Sequence, residues 1–119
     1  MFRKCNKCGE LIKVINEKNI PMCCGEDMSL IKANSVDASR EKHVPNYEIK
    51  NNKIIVTVNH VMDSDHYIEW IAIENDSYFL MKRFKPGDEA KVEFDYIENA
   101  TIYSYCNKHS LWKNEVKEN

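Results

Sequence analysis

Short stretches in which apolar and polar residues alternate recur along the chain after residue 46. Residues 91–97 show the pattern most clearly, because Val92, Phe94 and Tyr96 fall on one face and acidic residues fall on the other. A period of two, carried by β-branched and aromatic side chains, predicts strands with one buried face. The strands predicted in this way cover residues 47–49, 53–59, 67–73, 77–84, 91–97 and 100–105.

Turn-forming residues separate these stretches, and none of the stretches has the longer period of a helix. Asn51 and Asn52 precede the second predicted strand, and Pro86 and Gly87 lie between the fourth and the fifth. Short strands at close spacing favour a sandwich of antiparallel sheets. The predicted fold class is therefore mainly β, without a helix of substantial length.

The first 35 residues differ from the rest, since they hold four of the five cysteines and two of the three glycines. A segment of about 35 residues buries too little apolar surface to fold alone, so a bound metal ion is expected to stabilise its fold. A short strand is predicted at residues 11–15, and residues 34–39 are predicted to form a linker. The sequence thus predicts a metal-knuckle domain at 1–35 and a β-sandwich domain at 36–119.

The four N-terminal cysteines have the composition of a closed tetrahedral site with four sulfur ligands. Gly9, directly after Cys8, allows the backbone to turn so that amides face the sulfurs. Cys23 and Cys24 are adjacent, and two neighbouring side chains bind one ion only if the backbone between them is strained. Structural zinc and a redox iron of the rubredoxin type both fit these ligands. A disulfide is disfavoured, because adjacent cysteines bridge badly.

A second set of candidate ligands contains every histidine and the remaining cysteine: His43, His60, His66, Cys106 and His109. The four histidines are expected at strand ends or in loops, where side chains converge at one edge of a sandwich, and Cys106 and His109 have the spacing of a metal-binding turn. Each alone has a structural explanation, as a hydrogen-bonded imidazole or a small buried thiol. Together they are one ligand more than structural zinc uses, and they leave the sixth octahedral position of an iron open. Their joint placement therefore favours a redox metal site.

Composition excludes several other classes of function. The net charge of −2, from 17 basic and 19 acidic residues, provides no basic field for nucleic acid. No apolar run approaches the roughly 20 residues that span a bilayer, and no apolar segment of a signal peptide follows Lys4. An odd number of cysteines argues against a disulfide framework. We expect a cytoplasmic protein without nucleic-acid or membrane partners.

Several motifs resemble those of the desulfoferrodoxin family of two-iron superoxide reductases. The matching segments are Glu41-Lys42-His43-Val44-Pro45, those around His60 and His66, Tyr67-Ile68-Glu69-Trp70-Ile71, Lys85-Pro86-Gly87 and Cys106-Asn107-Lys108-His109. The N-terminal cysteines resemble the desulforedoxin module, and the remainder resembles the neelaredoxin-like catalytic domain. Two positions depart from the family pattern: Val61 stands where a proline is usual, and Ser110 where a glycine is usual.

The resemblance implies an FeCys4 domain followed by an immunoglobulin-like β-sandwich, assembled as a homodimer. It implies one-electron reduction of superoxide to hydrogen peroxide at a non-haem ferrous centre, which an external donor such as rubredoxin or a reductase then re-reduces.

The same resemblance assigns the site residues. The ligands it implies are Cys5, Cys8, Cys23 and Cys24 for the first iron, and His43, His60, His66, His109 and the axial sulfur of Cys106 for the second. Glu41 and Lys42 match the acidic and basic pair beside the open position of the second iron. Zinc is an alternative occupant of the first site in recombinant protein.

Other classes of function stay open on the residues alone. The first is a non-catalytic iron protein that only transfers electrons. The second is an interaction module, a zinc knuckle on a β-sandwich, which would be colourless. A superoxide dismutase is a third alternative, and it would release oxygen as well as peroxide.

Overall fold

The computed structural model describes residues 1–117, which consist almost entirely of β-structure and turns. The chain forms two compact units, of which the first is Met1–Lys32 and the second begins at Ala33. The mainly β fold class predicted from the alternating pattern is confirmed. Within residues 1–117, no helix combines the length and the apolar character that crossing a membrane requires.

The first unit contains five very short strands. They are β1 (Phe2–Lys4), β2 (Leu11–Lys13), β3 (Met22–Cys23), β4 (Glu26–Asp27) and β5 (Ser29–Ile31). Strand β1 lies between β2 and β5 in an antiparallel sheet, and β3 pairs with β4. The predicted strand at 11–15 is thus shorter than expected. The other four strands were not predicted, because two or three residues are too few to show a period.

The buried apolar residues of the first unit are few. Phe2, Cys5 and Met28 are each less than 5% exposed. The guanidinium of Arg3 binds both carboxylate oxygens of Glu17 and also donates to the carbonyl oxygen of Met28. So small an apolar core agrees with the expectation that a metal ion stabilises this part of the chain.

The second unit contains one short helix and seven strands. They are α1 (Arg40–His43), β6 (Asn46–Lys50), β7 (Lys53–Thr57), β8 (Ile68–Glu74), β9 (Phe79–Arg83), β10 (Lys91–Asp95), β11 (Thr101–Cys106) and β12 (Ser110–Glu115). One antiparallel sheet has the order β10-β7-β6, and the other has the order β12-β11-β8-β9. The six predicted strands correspond to β6–β11 with small shifts at their ends. Strand β12 was missed, because its two apolar residues, Leu111 and Trp112, are adjacent and do not alternate with polar ones.

The two sheets share one apolar core, as a β-sandwich requires. Ile54 and Val56 from β7 pack in one cluster with Ile71 and Ile73 from β8 and Ile102 from β11, and all five are fully buried. Burying one such side chain stabilises the fold by about 1.5–3 kcal/mol. The core thus provides a rigid scaffold for the loops at the strand ends.

The pairing of β8 with β11 shifts register at the end of the sheet. Tyr105 is paired with Trp70, but Cys106 is paired with Ile68, so one extra residue is accommodated on β8. Such a bulge redirects the side chains next to it. It lies at the end of β11 where Cys106 begins the turn toward β12.

Candidate metal centres

The sulfur atoms of the four N-terminal cysteines lie close enough together to bind one ion. Cys8 Sγ is 3.6 Å from Cys23 Sγ, which is 3.8 Å from Cys24 Sγ. All four sulfurs, including that of Cys5, lie within 4.8 Å of one another. Metal–thiolate bonds of about 2.3 Å in a tetrahedron place the sulfurs about 3.8 Å apart. The separations therefore fit a closed site with four sulfur ligands.

The first pair of cysteines sits on a tight turn, as the sequence predicts. Gly9 has φ +84°, and its amide donates a 2.9 Å hydrogen bond to the carbonyl oxygen of Cys5. The amide of Cys8 lies 3.4 Å from Cys5 Sγ. Hydrogen bonds from the amides of Cys8 and Lys7 lower the pKa of Cys5 to about 6. The turn thus favours the thiolate, which is the form that binds metals.

The second pair shows the backbone strain expected of adjacent cysteines. Cys24 has φ +52°, in the left-handed region that a residue with a Cβ rarely adopts, and Gly25 follows with φ +79°. The neighbouring sulfur groups, that of Cys5 first and that of Cys8 next, raise the pKa of Cys23. A bound cation would remove the repulsion among four thiolates held this close together.

The five remaining candidate ligands also converge, although they span residues 43–109. His43 Nε2 is 3.0 Å from His109 Nδ1, and Cys106 Sγ is 3.5 Å from His60 Nε2 and 3.8 Å from His109 Nδ1. The ligand atoms of all five, including His66, lie within 4.8 Å of one another. With metal–nitrogen bonds of about 2.1 Å, ligands of one ion lie roughly 3–4 Å apart, so one ion fits among these five atoms.

Loops and strand ends supply four of these five side chains, as the sequence predicts, whereas His43 lies on the short helix α1. His43 is the last residue of α1, and Cys106 is the last residue of β11. His60 lies in the segment after β7, His66 pairs with Asp63 just before β8, and His109 lies in the turn before β12. The short helix α1 was not predicted, since four residues are too few to show a helical period.

Backbone carbonyls orient two of the imidazoles. His43 Nδ1 lies 2.6 Å from the carbonyl oxygen of Ser39, and His60 Nδ1 contacts the carbonyl oxygen of Val61. When Nδ1 carries the proton for this hydrogen bond, Nε2 is left with a lone pair that faces the other ligands. This arrangement is common for histidines that bind metals.

The ring of His66 provides a direct test of whether a metal fits. Its Nε2 atom is buried, and it has no hydrogen-bond partner in the described part of the chain. Buried polar atoms almost always have a partner, and His66 belongs to a set of five residues whose ligand atoms lie within 4.8 Å of one another. A metal ion among the five atoms would supply the missing partner.

Burial also prepares the ligands electrostatically. It lowers the pKa of His43, His60 and His66, and the positive charge of Lys42 acts in the same direction on the first two. The imidazoles are therefore held in the neutral form that binds metals. Burial raises the pKa of Cys106, which is fully buried, against the amides of Lys108 and His109, which act to lower it. A cation beside this sulfur would favour its thiolate.

Two residues that support the site were not identified as site residues from the sequence. Trp112 stacks on His43, with ring centroids 4.9 Å apart, and its Nε1 donates a 2.9 Å hydrogen bond to the carbonyl oxygen of His109. Ser104 donates a 2.6 Å hydrogen bond from its buried hydroxyl to the carbonyl oxygen of His43. Trp112 is also one of the fully buried residues of the core. The signal for Ser104 is a hydroxyl at a predicted buried strand position, since such a group needs a partner.

A cavity of about 440 Å³ opens onto the histidines. The residues that line it are Asp37, Ala38, Ser39, Lys42, His43, His60, Val61, His66 and His109. Cys106 is fully buried and is not among the residues that line the cavity. Lys42 lines the opening, whereas Glu41 is exposed on α1 and is not among the lining residues.

The two departures from the family pattern lie beside ligands. The side chain of Val61 is 51% exposed, while its carbonyl oxygen orients His60. Ser110 has φ +65°, so it adopts the left-handed conformation that glycine tolerates best. The chain thus keeps a glycine-like turn after His109 without a glycine.

Comparisons with known proteins agree with this site. Residues 35–115 match the desulfoferrodoxin family. A desulfoferrodoxin homolog of Archaeoglobus fulgidus is 39% identical over 115 residues, covering 92% of each chain. The desulfoferrodoxin of Nitratidesulfovibrio vulgaris is 38% identical over 118 residues, covering 95% of this chain and 94% of that one.

Solved structures with the same fold include two superoxide reductases. That of Treponema pallidum aligns with a TM-score of 0.73 at 22% identity, over 96% of this chain and 98% of that one. That of Nanoarchaeum equitans aligns with a TM-score of 0.56 at 25% identity, over 75% of this chain and all of that one. The four-cysteine site and the site of four histidines and one cysteine fit the two iron centres of desulfoferrodoxin. This chain belongs to the desulfoferrodoxin family.

Proposed function

We propose that the protein is a superoxide reductase, which adds one electron and two protons to superoxide and releases hydrogen peroxide. The observation that carries the proposal is the convergence of four imidazole nitrogens and one buried sulfur beside an open cavity. Structural zinc needs four ligands and no opening, whereas a redox iron needs a position for its substrate. The solved superoxide reductases with this fold support the same activity.

In this proposal His43, His60, His66, His109 and Cys106 hold the catalytic iron. A ferrous ion held there would supply the electron, and a thiolate ligand would increase the electron density available for that transfer. Burial favours the neutral form of His43, His60 and His66 by lowering the pKa of each, and it keeps the sulfur of Cys106 away from solvent. The ligand set is thus arranged before any substrate arrives.

In this proposal superoxide approaches through the cavity. All four histidines line it, while Cys106 does not. The substrate would therefore meet the imidazole ligands, and the fully buried sulfur stays away from solvent. A small anion needs no larger pocket than this opening.

Lys42 is the cation that we assign to substrate capture. It lines the cavity, and its positive charge contributes to the lowered pKa of the buried His43 and of the half-buried His60. A lysine at the mouth of a cleft raises the local concentration of an anion and increases its association rate. Its ammonium also donates hydrogen bonds to an anionic oxygen or to a water beside it.

Glu41 is assigned to product release, as the family pattern suggests. It lies next to Lys42 on α1 but does not line the cavity. The hydroxyl of Ser39 forms no capping hydrogen bond with this helix, which is only four residues long. A rearrangement of so short a helix would bring the carboxylate toward the opening and help displace hydrogen peroxide.

We assign the FeCys4 domain to residues 1–35 and the catalytic domain to residues 36–119. Cys5, Cys8, Cys23 and Cys24 hold the first iron in this assignment. An external donor, such as a rubredoxin or a reductase, would supply the electron that returns an iron held by the four histidines and Cys106 to the ferrous state. The active assembly is proposed to be a homodimer, as the family resemblance implies.

The decisive experiment combines metal analysis, absorption spectra and reaction with superoxide on one sample of purified protein. Two irons per chain, rubredoxin-like bands and a broad thiolate-to-iron band that ascorbate bleaches are expected. Pulse-generated superoxide should then reoxidise the reduced protein with one peroxide formed per iron oxidised. Colourless protein that contains only zinc, or iron protein that does not react with superoxide, would refute the proposal. Release of oxygen without consumption of a donor would indicate a dismutase.

Matched cysteine variants separate the two sites. Cys106→Ser is expected to remove the broad thiolate-to-iron band and the reaction with superoxide while leaving the rubredoxin-like bands. Cys8→Ser is expected to remove the rubredoxin-like bands while leaving the broad thiolate-to-iron band. If the broad band persists in Cys106→Ser, the sulfur ligand lies elsewhere.

A further inference from the structure

Asn107 lies in the turn that joins β11 to β12, and its side chain bridges to the segment that carries His66. Its Oδ1 accepts a 2.9 Å hydrogen bond from the amide of Tyr67. Its Nδ2 donates a 2.9 Å hydrogen bond to the carbonyl oxygen of Asp65. Its own amide donates a 3.2 Å hydrogen bond to the carbonyl oxygen of Tyr67. These three bonds end on the two residues that flank His66.

We propose that Asn107 is a positioning residue for the catalytic metal: it holds His66 in register with Cys106 and His109. The inference rests on the proposed function of this site. Asn107 lies between Cys106 and His109 in the sequence, and its side chain is hydrogen-bonded to both neighbours of His66. One side chain therefore fixes the relative position of three ligands.

The position of the His66 ring depends on backbone contacts more than the positions of the His43 and His60 rings do. The rings of His43 and His60 are each tied to a carbonyl oxygen through Nδ1. His66 Nε2 is buried without a hydrogen-bond partner among residues 1–117. The contacts that place its backbone are the pair of hydrogen bonds with Asp63, at 3.0 and 3.2 Å, and the bonds that Asn107 makes on either side.

An asparagine suits this place because its amide offers an acceptor and a donor at the same tip. Aspartate would keep the acceptor for the amide of Tyr67, but it would place a second oxygen against the carbonyl of Asp65. Alanine would keep neither bond. Asn107→Asp therefore removes one of the two side-chain hydrogen bonds, and Asn107→Ala removes both.

An ion pair joins the same two segments but does not explain their register. Lys108 Nζ lies 3.9 Å from Asp65 Oδ2, and the two side chains are 51% and 80% exposed. Exposed ion pairs contribute little, because water and salt screen them. The hydrogen bonds of Asn107 are directional, and the one from the amide of Tyr67 is partly buried, so they set the geometry.

Asn75 offers a matched control at the other end of β8. Its Oδ1 accepts 2.9 Å hydrogen bonds from the amides of Ser77 and Tyr78, and its Nδ2 donates a 2.9 Å hydrogen bond to the carbonyl oxygen of Glu98. The side chain of Asn75 thus makes these three hydrogen bonds, compared with the two described for the side chain of Asn107. The turn that Asn75 supports carries no metal ligand. Asn75→Ala tests the general cost of losing such bonds.

The experiment compares Asn107→Ala, Asn107→Asp, Asn75→Ala and the parent protein, all as full chains. Two quantities are measured: the affinity of the His4Cys site for Fe²⁺, by competition with a chelator, and the position of the thiolate-to-iron band after oxidation. Asn107→Ala is expected to lower the Fe²⁺ affinity by about 10- to 100-fold, as loss of residues that orient metal ligands typically does. It is also expected to shift or broaden the band, with Asn107→Asp intermediate. Asn75→Ala should lose thermal stability but keep the parent affinity and band.

Parent-like affinity and band in Asn107→Ala would overturn the proposal. If Asn107→Ala does not fold, Asn107→Asp decides, and parent-like values in that variant would overturn it equally. Neither measurement uses superoxide. A parent protein that binds iron with the thiolate band but fails to reduce superoxide would therefore refute the proposed function and leave this test intact.

Discussion

The buried hydroxyl of Ser104 donates a hydrogen bond to the carbonyl oxygen of His43 across 61 positions of sequence. Ser104 lies in the middle of β11, and His43 ends the short helix α1. This bond ties the helix to the same strand that ends in Cys106. A ligand carried on a helix of four residues is thus anchored to the central part of a sheet.

Removing this anchor is expected to destabilise the fold. Ser104→Ala would leave the carbonyl oxygen of His43 buried without its partner, which costs about 1–3 kcal/mol. The free energy of unfolding of the metal-loaded protein, measured with urea, tests this. Ser77→Ala is the control, because Ser77 is exposed in a turn and its side chain should contribute less than about 0.5 kcal/mol. Equal stability of the two variants would contradict the anchoring role.

Lys42 is expected to control the rate at which superoxide arrives. Lys42→Ala removes the positive charge at the cavity, so the second-order rate constant should fall by about tenfold and depend less on ionic strength. Stopped-flow or pulse-radiolysis kinetics at several salt concentrations measure both effects. Lys50→Ala, on the exposed strand β6, should change neither. A Lys42→Ala rate equal to that of Lys50→Ala would rule out electrostatic capture by Lys42.

Glu41 is expected to act after the electron has been transferred. Glu41→Ala should leave the reduction of superoxide nearly unchanged but alter the absorption spectrum of the oxidised resting protein. Asp37→Ala is the informative comparison, because Asp37 lines the cavity in this structure and Glu41 does not. If Asp37→Ala changes the resting spectrum and Glu41→Ala does not, the carboxylate that approaches the iron is Asp37.

Ser110 is expected to carry backbone strain that a glycine would relieve. A φ of +65° costs a residue with a Cβ about 1 kcal/mol or more. Replacing the serine by glycine removes this strain, but the greater entropy of glycine in the unfolded chain offsets part of the gain in stability. Ser110→Gly should therefore raise the free energy of unfolding by roughly 0.5 kcal/mol. Asn99→Gly, at φ +55°, should gain less, because asparagine tolerates this conformation. A loss of stability in Ser110→Gly would mean that the serine side chain stabilises the turn.

Much of the site could be predicted from the sequence, because metal binding restricts the residue types so strongly. Four histidines and one isolated cysteine are chemically unusual enough to be recognised before any contact is known. The alternating strands β6–β11 were likewise predictable, since each is long enough to show a period of two with one buried face. The strain at Cys24 followed from the adjacency of two cysteines alone.

The surroundings of those ligands depend on contacts that no local pattern in the sequence reports. Helix α1 and strand β12 have no periodic signal, because one is four residues long and the other has adjacent apolar residues. The hydrogen bonds from Ser104 to His43 and from Asn107 to the neighbours of His66 join residues 61 and about 40 positions apart. Local sequence patterns report which face of a strand is buried, but not which distant carbonyl a buried hydroxyl or amide meets. The chemistry of the ligands can therefore be read from residue types and spacing, whereas their arrangement in space depends on contacts between segments far apart in the chain.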